Sequence, residues 1–373
     1  MIVGIVLPYL KSRGTEKQAL RLAEGFIKRN TNVVLFVVQG WGESIMYDSF
    51  KSIGVSVVNV GRPIGVGKKN ISPYRLFSLV RLLRVYQCTS IISRAGLTNR
   101  IAGFAGRIVS TPVTTVLSGS IKKNSSSRKY NRLLTSVYKF ISLGFPSNIV
   151  SVSKEGCSNF KYNYPLLSPK TFYIQNGVEL PEVCIDNYSG KYYKDFSFCF
   201  AGSIEIKRKG LDILLKALSS VVFNYKISNV VLILIGVGRD EDRLKQLAEK
   251  LHVSDQVRFI GEQACPIREM SKCDGFVLSS RREGLPNALL EAMSLGMACI
   301  STDCDTGPRE VIINEKNGLL VDLSDHEPLA IAMVRIIEDA KLRVKLGNEA
   351  RKTIKDSFSH EKMIDGYFSM MSG

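Results

Sequence analysis

The chain has 373 residues, of which 45% are hydrophobic and 23% charged. That composition is ordinary for a soluble globular protein, and the length exceeds what one hydrophobic core spans, so two domains are expected. No apolar run approaches the roughly 18 to 20 residues needed to cross a bilayer, so no membrane-spanning helix is expected.

The net charge of +17 is placed unevenly. Residues 1–180 hold 25 Lys and Arg against 6 Asp and Glu, and no acidic residue occurs between Asp48 and Glu155. The remainder is close to balanced. A cationic half points to an anionic partner such as lipid head groups, pyrophosphate or nucleic acid; a solvated basic surface is the alternative. The eight cysteines are scattered without a Cys-x-x-Cys pair and read as reduced core thiols of a cytosolic protein. His252, His326 and His360 lie far apart and show no metal-ligand spacing.

In chain order, "MIVGIVLPYLKSRG" has no basic region before its apolar run, so it reads as a first strand rather than a signal peptide. Its continuous apolar stretch is typical of a buried parallel strand. "EKQALRLAEGFIKRN" then carries Ala19, Leu22, Ala23, Phe26 and Ile27 at helical spacing. Strands are predicted at "NVVLFVV", "VSVVNV", "SIIS", "VTTVL" and "NIVSVS". The stretch "FYIQNGVELPEVCIDNYSGKYYKD" lacks sustained periodicity and reads as a linker. The alternation then restarts. "FSFCFAG", "NVVLILIGVG", "QVRFIG", "GFVLSS", "ACIST" and "NGLLVD" are predicted strands; "KGLDILLKALSSV", "DEDRLKQLAEKL" and "NALLEAMSLG" are predicted helices. The C-terminus is helical. The fold class is therefore α/β, with two Rossmann-like doubly wound parallel-sheet domains facing a cleft. The boundaries fall at 1–180 and 190–355, and the helix at about 358–373 is a candidate to pack back on the first domain.

The stretch "SSRREGLPNALLEAMSLGMACISTD", residues 279–303, carries two glutamates eight positions apart across a Gly/Pro turn. Pro286 suits the first turn of a helix, since its missing N–H has no partner there. The free amides of Asn287, Ala288 and Leu289, with the positive end of the helix dipole, fit a phosphate. Asn287 and Glu291 share a helix face, which sets Glu291 one turn below those amides, where it can accept from two vicinal hydroxyls such as those of a ribose. Glu283 precedes the turn and faces whatever hangs beyond the phosphates. The pattern fits a nucleotide sugar; a solvent-facing glutamate pair around an ordinary helix start fits it too.

"REGLPNALLEAMSLGMACISTDCDTGPREVI" resembles the signature of retaining glycosyltransferases of family four, with their two glutamates separated by seven residues. The resemblance implies the GT-B fold. It implies that Glu283 contacts donor sugar hydroxyls, that Glu291 holds the ribose, and that Gly284, Pro286 and the 287–289 amides surround the diphosphate. "FAGSIEIKRKGLDILLKAL" resembles the family's phosphate-binding loop: Lys209 followed by Gly210 matches, and a lysine there would neutralise charge growing on the departing diphosphate. Ser203 stands where the family has an arginine, and Lys207 or Arg208 could substitute. "YLKSRGTEKQALRLAEGF" resembles the N-terminal glycine loop, with Arg13 in place of the first Gly and Gly14 as the second. "VLILIGVGRDEDRLKQLAEKLHVSDQVRFIGEQ" matches the middle segment, where Gly236 and Gly238 close a strand; this GxG lacks the remaining features of a dinucleotide site.

Likeness is weak over residues 55–145, which in the family select the acceptor. The histidine often found after the strand following "TP" is missing, and Ser118 or Ser120 occupies the region. Arg94, ending a strand, is the acceptor-side candidate, with a plain surface arginine as the alternative. Asp303 and Asp305 spell an Asp-x-Asp triplet but read as loop. Glu283 and Lys209 are the catalytic candidates; Gly14, Ser203, Arg208, Gly236 and Arg94 join the substrate-binding set, and no metal or cofactor is expected.

The resemblance implies a metal-independent retaining transferase using a UDP-sugar, with a lipid-linked or glycan acceptor in bacterial O-antigen, capsule or lipid-linked oligosaccharide synthesis. The basic first half, especially residues 122–140, suggests an anionic membrane partner and a cytoplasmic, peripherally membrane-bound protein. A GT-B sugar-nucleotide epimerase or phosphorylase is the alternative among enzymes. A basic nucleic-acid- or membrane-binding protein is the alternative from another class. Nucleic-acid binding would explain the charge but not the glutamate pair, so no nucleic-acid partner is expected.

Overall fold

The computed structural model describes residues 1–10, 14–39, 45–61, 73–94, 96–119, 121, 129–181, 193–304 and 306–372. They form two units: Met1–Gly177 with His360–Gly373, and Val178–Ser359.

The first unit holds a seven-stranded sheet. Its strands are β1 (Ile2–Leu7), β2 (Asn32–Val37), β3 (Ser56–Asn59), β4 (Ser90–Arg94), β5 (Val113–Leu117), β6 (Asn148–Ser151) and β7 (Thr171–Tyr173). They run parallel in the order β3-β2-β1-β4-β5-β6-β7. Parallel neighbours need crossovers, and the intervening helices cover both faces, which is why β1, β2 and β4 are buried almost throughout without alternation. The helix Gly14–Lys28 buries Ala19, Leu22, Ala23 and Phe26, one face at helical spacing. The C-terminal helix His360–Ser372 packs on it: Phe368 and Tyr367 meet Phe26 edge-on, and His360 Nε2 donates to the Arg21 carbonyl at 2.6 Å. β7 overlaps the start of the stretch expected to be linker, from Phe172 on. Its three residues are too few to show periodicity, and only pairing with β6 makes them a strand.

The second unit holds six parallel strands: β8 (Phe196–Ala201), β9 (Val230–Ile235), β10 (Val257–Gly261), β11 (Gly275–Leu278), β12 (Ala298–Thr302) and β13 (Leu319–Val321). Their order is β10-β9-β8-β11-β12-β13. β8, β9, β11 and β12 are buried along their whole length. The winding reverses between β8 and β11. At such a switch point the loops leaving the two carboxyl ends diverge and open a crevice for ligands. Here those loops are residues 202–205 and 279–286.

Among the described residues no helix is long and apolar enough to cross a membrane. Seven of the eight cysteines lie in the described part and all seven are free thiols. Burial pushes the Cys88 thiol up to about 11.

Candidate active site

The loop after β8 turns into the short helix Ile206–Lys209, whose first amide is held by Asp240 Oδ2 at 2.9 Å. Gly210 ends it in the left-handed region, with φ of 62°. A Cβ at Gly210 would stand 1.9 Å from the Ser279 carbonyl oxygen, so only glycine lets the two switch-point loops touch here. The contact is stitched on both sides. Ser279 Oγ donates to the Lys209 carbonyl at 2.9 Å, and the Arg281 amide donates to the Arg208 carbonyl at 2.9 Å.

Those ties bring the two catalytic candidates together. Lys209 Nζ lies 2.6 Å from Glu283 Oε1, with side-chain exposures of 11% and 9%. Ser280 Oγ donates to the same oxygen at 2.6 Å, and Thr306 Oγ1 donates to the Glu283 carbonyl. Glu283 Oε2 has no donor among the described residues. The result is a nearly buried cation beside a carboxylate with one oxygen open. The cation suits a phosphate, and the open oxygen suits a hydroxyl.

Arg281 holds the frame. Its Nη1 and Nη2 each reach an Asp212 carboxylate oxygen at 2.7 Å, and Nη1 also lies 3.3 Å from the Ile206 carbonyl. Burial alone would raise the Asp212 pKa, but the Arg281 hydrogen bonds and charge override this and hold the carboxyl below its usual range. Neither residue was singled out from the sequence. The available signal was one acid in the first turn of the helix Leu211–Phe223 and one base beside the glutamate motif.

Arg208 Nη2 donates to Ser203 Oγ at 2.7 Å, and Arg208 Nε to Glu205 Oε2 at 3.0 Å. The guanidinium therefore lies beside position 203, where the family's arginine is missing. Arg208 holds the Glu205 carboxyl below its usual range.

The helix Asn287–Ser294 begins after Pro286, which is the N-cap with extended backbone rather than the first helical residue. The Leu289 amide is not free as expected: it donates to the Pro286 carbonyl at 3.1 Å, closing the first turn. The Leu290 amide meets the same carbonyl at 3.2 Å. Glu291 is 7% exposed on the same helix. The Gly284 carbonyl packs against Gly307, where a Cβ would stand 2.3 Å from its oxygen, so the close approach requires glycine at 307. Gly236 has a packing role. It follows β9 at φ of 134°, and a Cβ there would stand 2.0 Å from the Gly202 carbonyl oxygen. Asp303 is engaged by Arg309 at 2.8 Å, and Asp305 lies outside the described residues.

Two candidates belong to the first unit. Gly14 opens its first helix. Arg94 ends β4 and is 1% exposed, not a surface arginine; its Nη2 donates to Asn176 Oδ1 at 3.1 Å, and burial lowers its pKa. Ser118 follows β5, whereas Arg13 and Ser120 lie outside the described residues, as does 122–128.

Residues 185–353 match the family described as glycosyl transferases group 1. The chain is 34% identical over 167 residues to the lipopolysaccharide core biosynthesis glycosyltransferase LpsE of Rhizobium meliloti, a match covering 45% of this chain and 47% of that protein. It thus spans about half the length of this relative. It is 26% identical over 256 residues to a Campylobacter jejuni N-acetylgalactosaminyltransferase acting on a diphospho-undecaprenol-linked sugar, covering 69% of this chain and 67% of that one. The structure matches that of HepE from Anabaena, in complex with UDP and glucose, with a TM-score of 0.81, 18% identity and coverage of 100% and 99%. The two parallel-sheet units carry the GT-B fold. The match to the group 1 glycosyl transferases thus spans residues 185–353, which make up most of the second unit.

Proposed function

We propose that the chain is a retaining, metal-independent glycosyltransferase. It moves a hexose or N-acetylhexosamine from a UDP-sugar to a lipid-linked oligosaccharide or polysaccharide in bacterial surface glycan synthesis, at an anionic membrane surface. The observation that carries this reading is the pairing of Lys209 with Glu283 at 2.6 Å at the switch point of the second sheet. A cation there stabilises the diphosphate as it leaves. Glu283 Oε2 takes a donor sugar hydroxyl, Glu291 the ribose, and the Asn287 and Ala288 amides the phosphates.

In the step itself the bond from the sugar's anomeric carbon to the diphosphate oxygen breaks. The acceptor hydroxyl oxygen bonds to the same face of that carbon, and its proton passes to the departing diphosphate. The protein supplies positioning and charge. LpsE's core-biosynthesis name and the lipid-linked substrate in the Campylobacter enzyme's name support the acceptor class. The UDP and glucose in the HepE complex support the donor class.

A thermal-shift panel of UDP-, GDP- and ADP-sugars tests the reading, followed by transfer to a polyprenyl diphosphate-linked sugar with NMR of the anomeric product. Stabilisation by a UDP-sugar and a retained anomeric configuration are expected. An inverted product, or no nucleotide-sugar binding, would overturn it.

A further inference from the structure

The helix Lys129–Ser142 carries one broad apolar face, of which only one edge is covered. Its inner side fills a core: Phe140, with Leu143 just beyond the helix, packs with Ile149, Phe160 and Leu167. On its outer side Leu133, Val137 and Ile141 recur every fourth residue and are 39%, 45% and 44% exposed, with Tyr138 at 66% beside them. An outward face of this kind has no folding role and marks a surface meant to be covered.

Next to it lies a cavity of about 420 Å³, floored by Phe104, Ile108, Phe140 and Phe145 and bordered by Arg107 and Lys170. Lys170 Nζ lies 5.1 Å from the Phe140 ring centroid. Neither cation has an acidic partner among the described residues, and no acidic residue occurs anywhere between Asp48 and Glu155. Charge decides what covers the face. A second copy meeting it about a two-fold axis would set the same cations against each other, with no acid to neutralise them. A bilayer with anionic head groups supplies both the apolar depth and the negative charge.

We infer that the outer face of this helix, with the adjoining cavity, docks on an anionic lipid bilayer: Leu133, Val137, Tyr138 and Ile141 enter the boundary between head groups and acyl chains, while Arg107 and Lys170 take lipid phosphates. This deepens the membrane partner of the proposed function, but it rests on the surface alone and not on the donor site.

The test is co-sedimentation of the full chain with vesicles of phosphatidylcholine, with and without phosphatidylglycerol. Binding is expected only with phosphatidylglycerol, and rising salt should weaken it. The double variant Val137→Glu/Ile141→Glu should lower partitioning about tenfold, and Arg107→Glu and Lys170→Glu about fivefold each. All are surface changes, so circular dichroism and the UDP thermal shift should stay as in the wild type. Equal binding to neutral vesicles, variants that bind like the wild type, or a dimer in size-exclusion chromatography that the double variant dissolves would overturn the inference. Vesicle binding without any nucleotide binding would leave it standing while removing the transferase reading; the converse result would do the opposite.

Discussion

The ammonium of Lys209 and the carboxylate of Glu283 stand 2.6 Å apart although 74 positions separate them in the chain. Each is the other's partner while the site holds no donor. Under the proposed function, an arriving diphosphate would compete for Lys209 and leave Glu283 free to turn toward a sugar hydroxyl.

Lys209→Gln and Glu283→Gln should therefore each lower kcat by about 10²- to 10³-fold, with an unchanged circular dichroism spectrum. The two should split on nucleotide affinity. Removing the cation weakens UDP binding, whereas Glu283→Gln releases Lys209 and leaves UDP binding at least as tight as in the wild type. Steady-state kinetics and calorimetry with UDP read both. Full turnover in both variants would refute the site.

Glu291 is 7% exposed, one turn into the helix Asn287–Ser294. A carboxylate accepting from ribose hydroxyls makes charge-assisted bonds, so Glu291→Ala should weaken UDP binding by about 10- to 100-fold. Calorimetry with UDP and with UMP should show the same loss, because the ribose is common to both. An unchanged affinity would remove Glu291 from the nucleotide site.

The Asp212–Arg281 pair ties the loop after β11 to the first turn of the helix Leu211–Phe223, and its effect on stability has a definite sign. Asp212 is depressed in the folded protein, so its contribution is present above the unfolded carboxyl pKa of about 3.9 and fades as pH falls through the folded value. Asp212→Asn should thus melt below the wild type at neutral pH, and the two should converge on acidification. The side chains keep exposures of 27% and 35%, so solvent screening keeps the gap modest. Melting curves across pH would show it; a gap that widens in acid would contradict the assignment.

Activity should persist in EDTA. In the proposed function Lys209 and the Asn287 helix end would meet the charge on the departing diphosphate, and Asp303 is already engaged by Arg309 at 2.8 Å. A strict requirement for Mn²⁺, abolished by Asp303→Asn, would instead make that loop a metal site.

The alternation of strands and helices was legible in the sequence because it is local. A continuous apolar run such as 2–7 is typical of a strand buried on both faces, and Ala19, Leu22, Ala23 and Phe26 share a face at helical spacing. The glutamate pair and Lys209 stood out too, through the resemblance of their local stretches to a family signature. β7 was not, because three residues carry no period and its identity comes from β6. The Leu289 amide looked free because a helix end leaves its first amides unpaired, but the carbonyl of Pro286 folds back to meet it.

What the sequence alone determined, then, were the segments and the chemistry each one carries. The tertiary structure decided which of those chemistries meet: Lys209 with Glu283, Arg281 with Asp212, Arg208 with Ser203, and Arg94 with a buried asparagine instead of solvent. The physical reason is strand order. Placing β8 beside β11 joins loops about 70 residues apart, and a glycine at 210 lets their backbones touch. No local propensity encodes that adjacency.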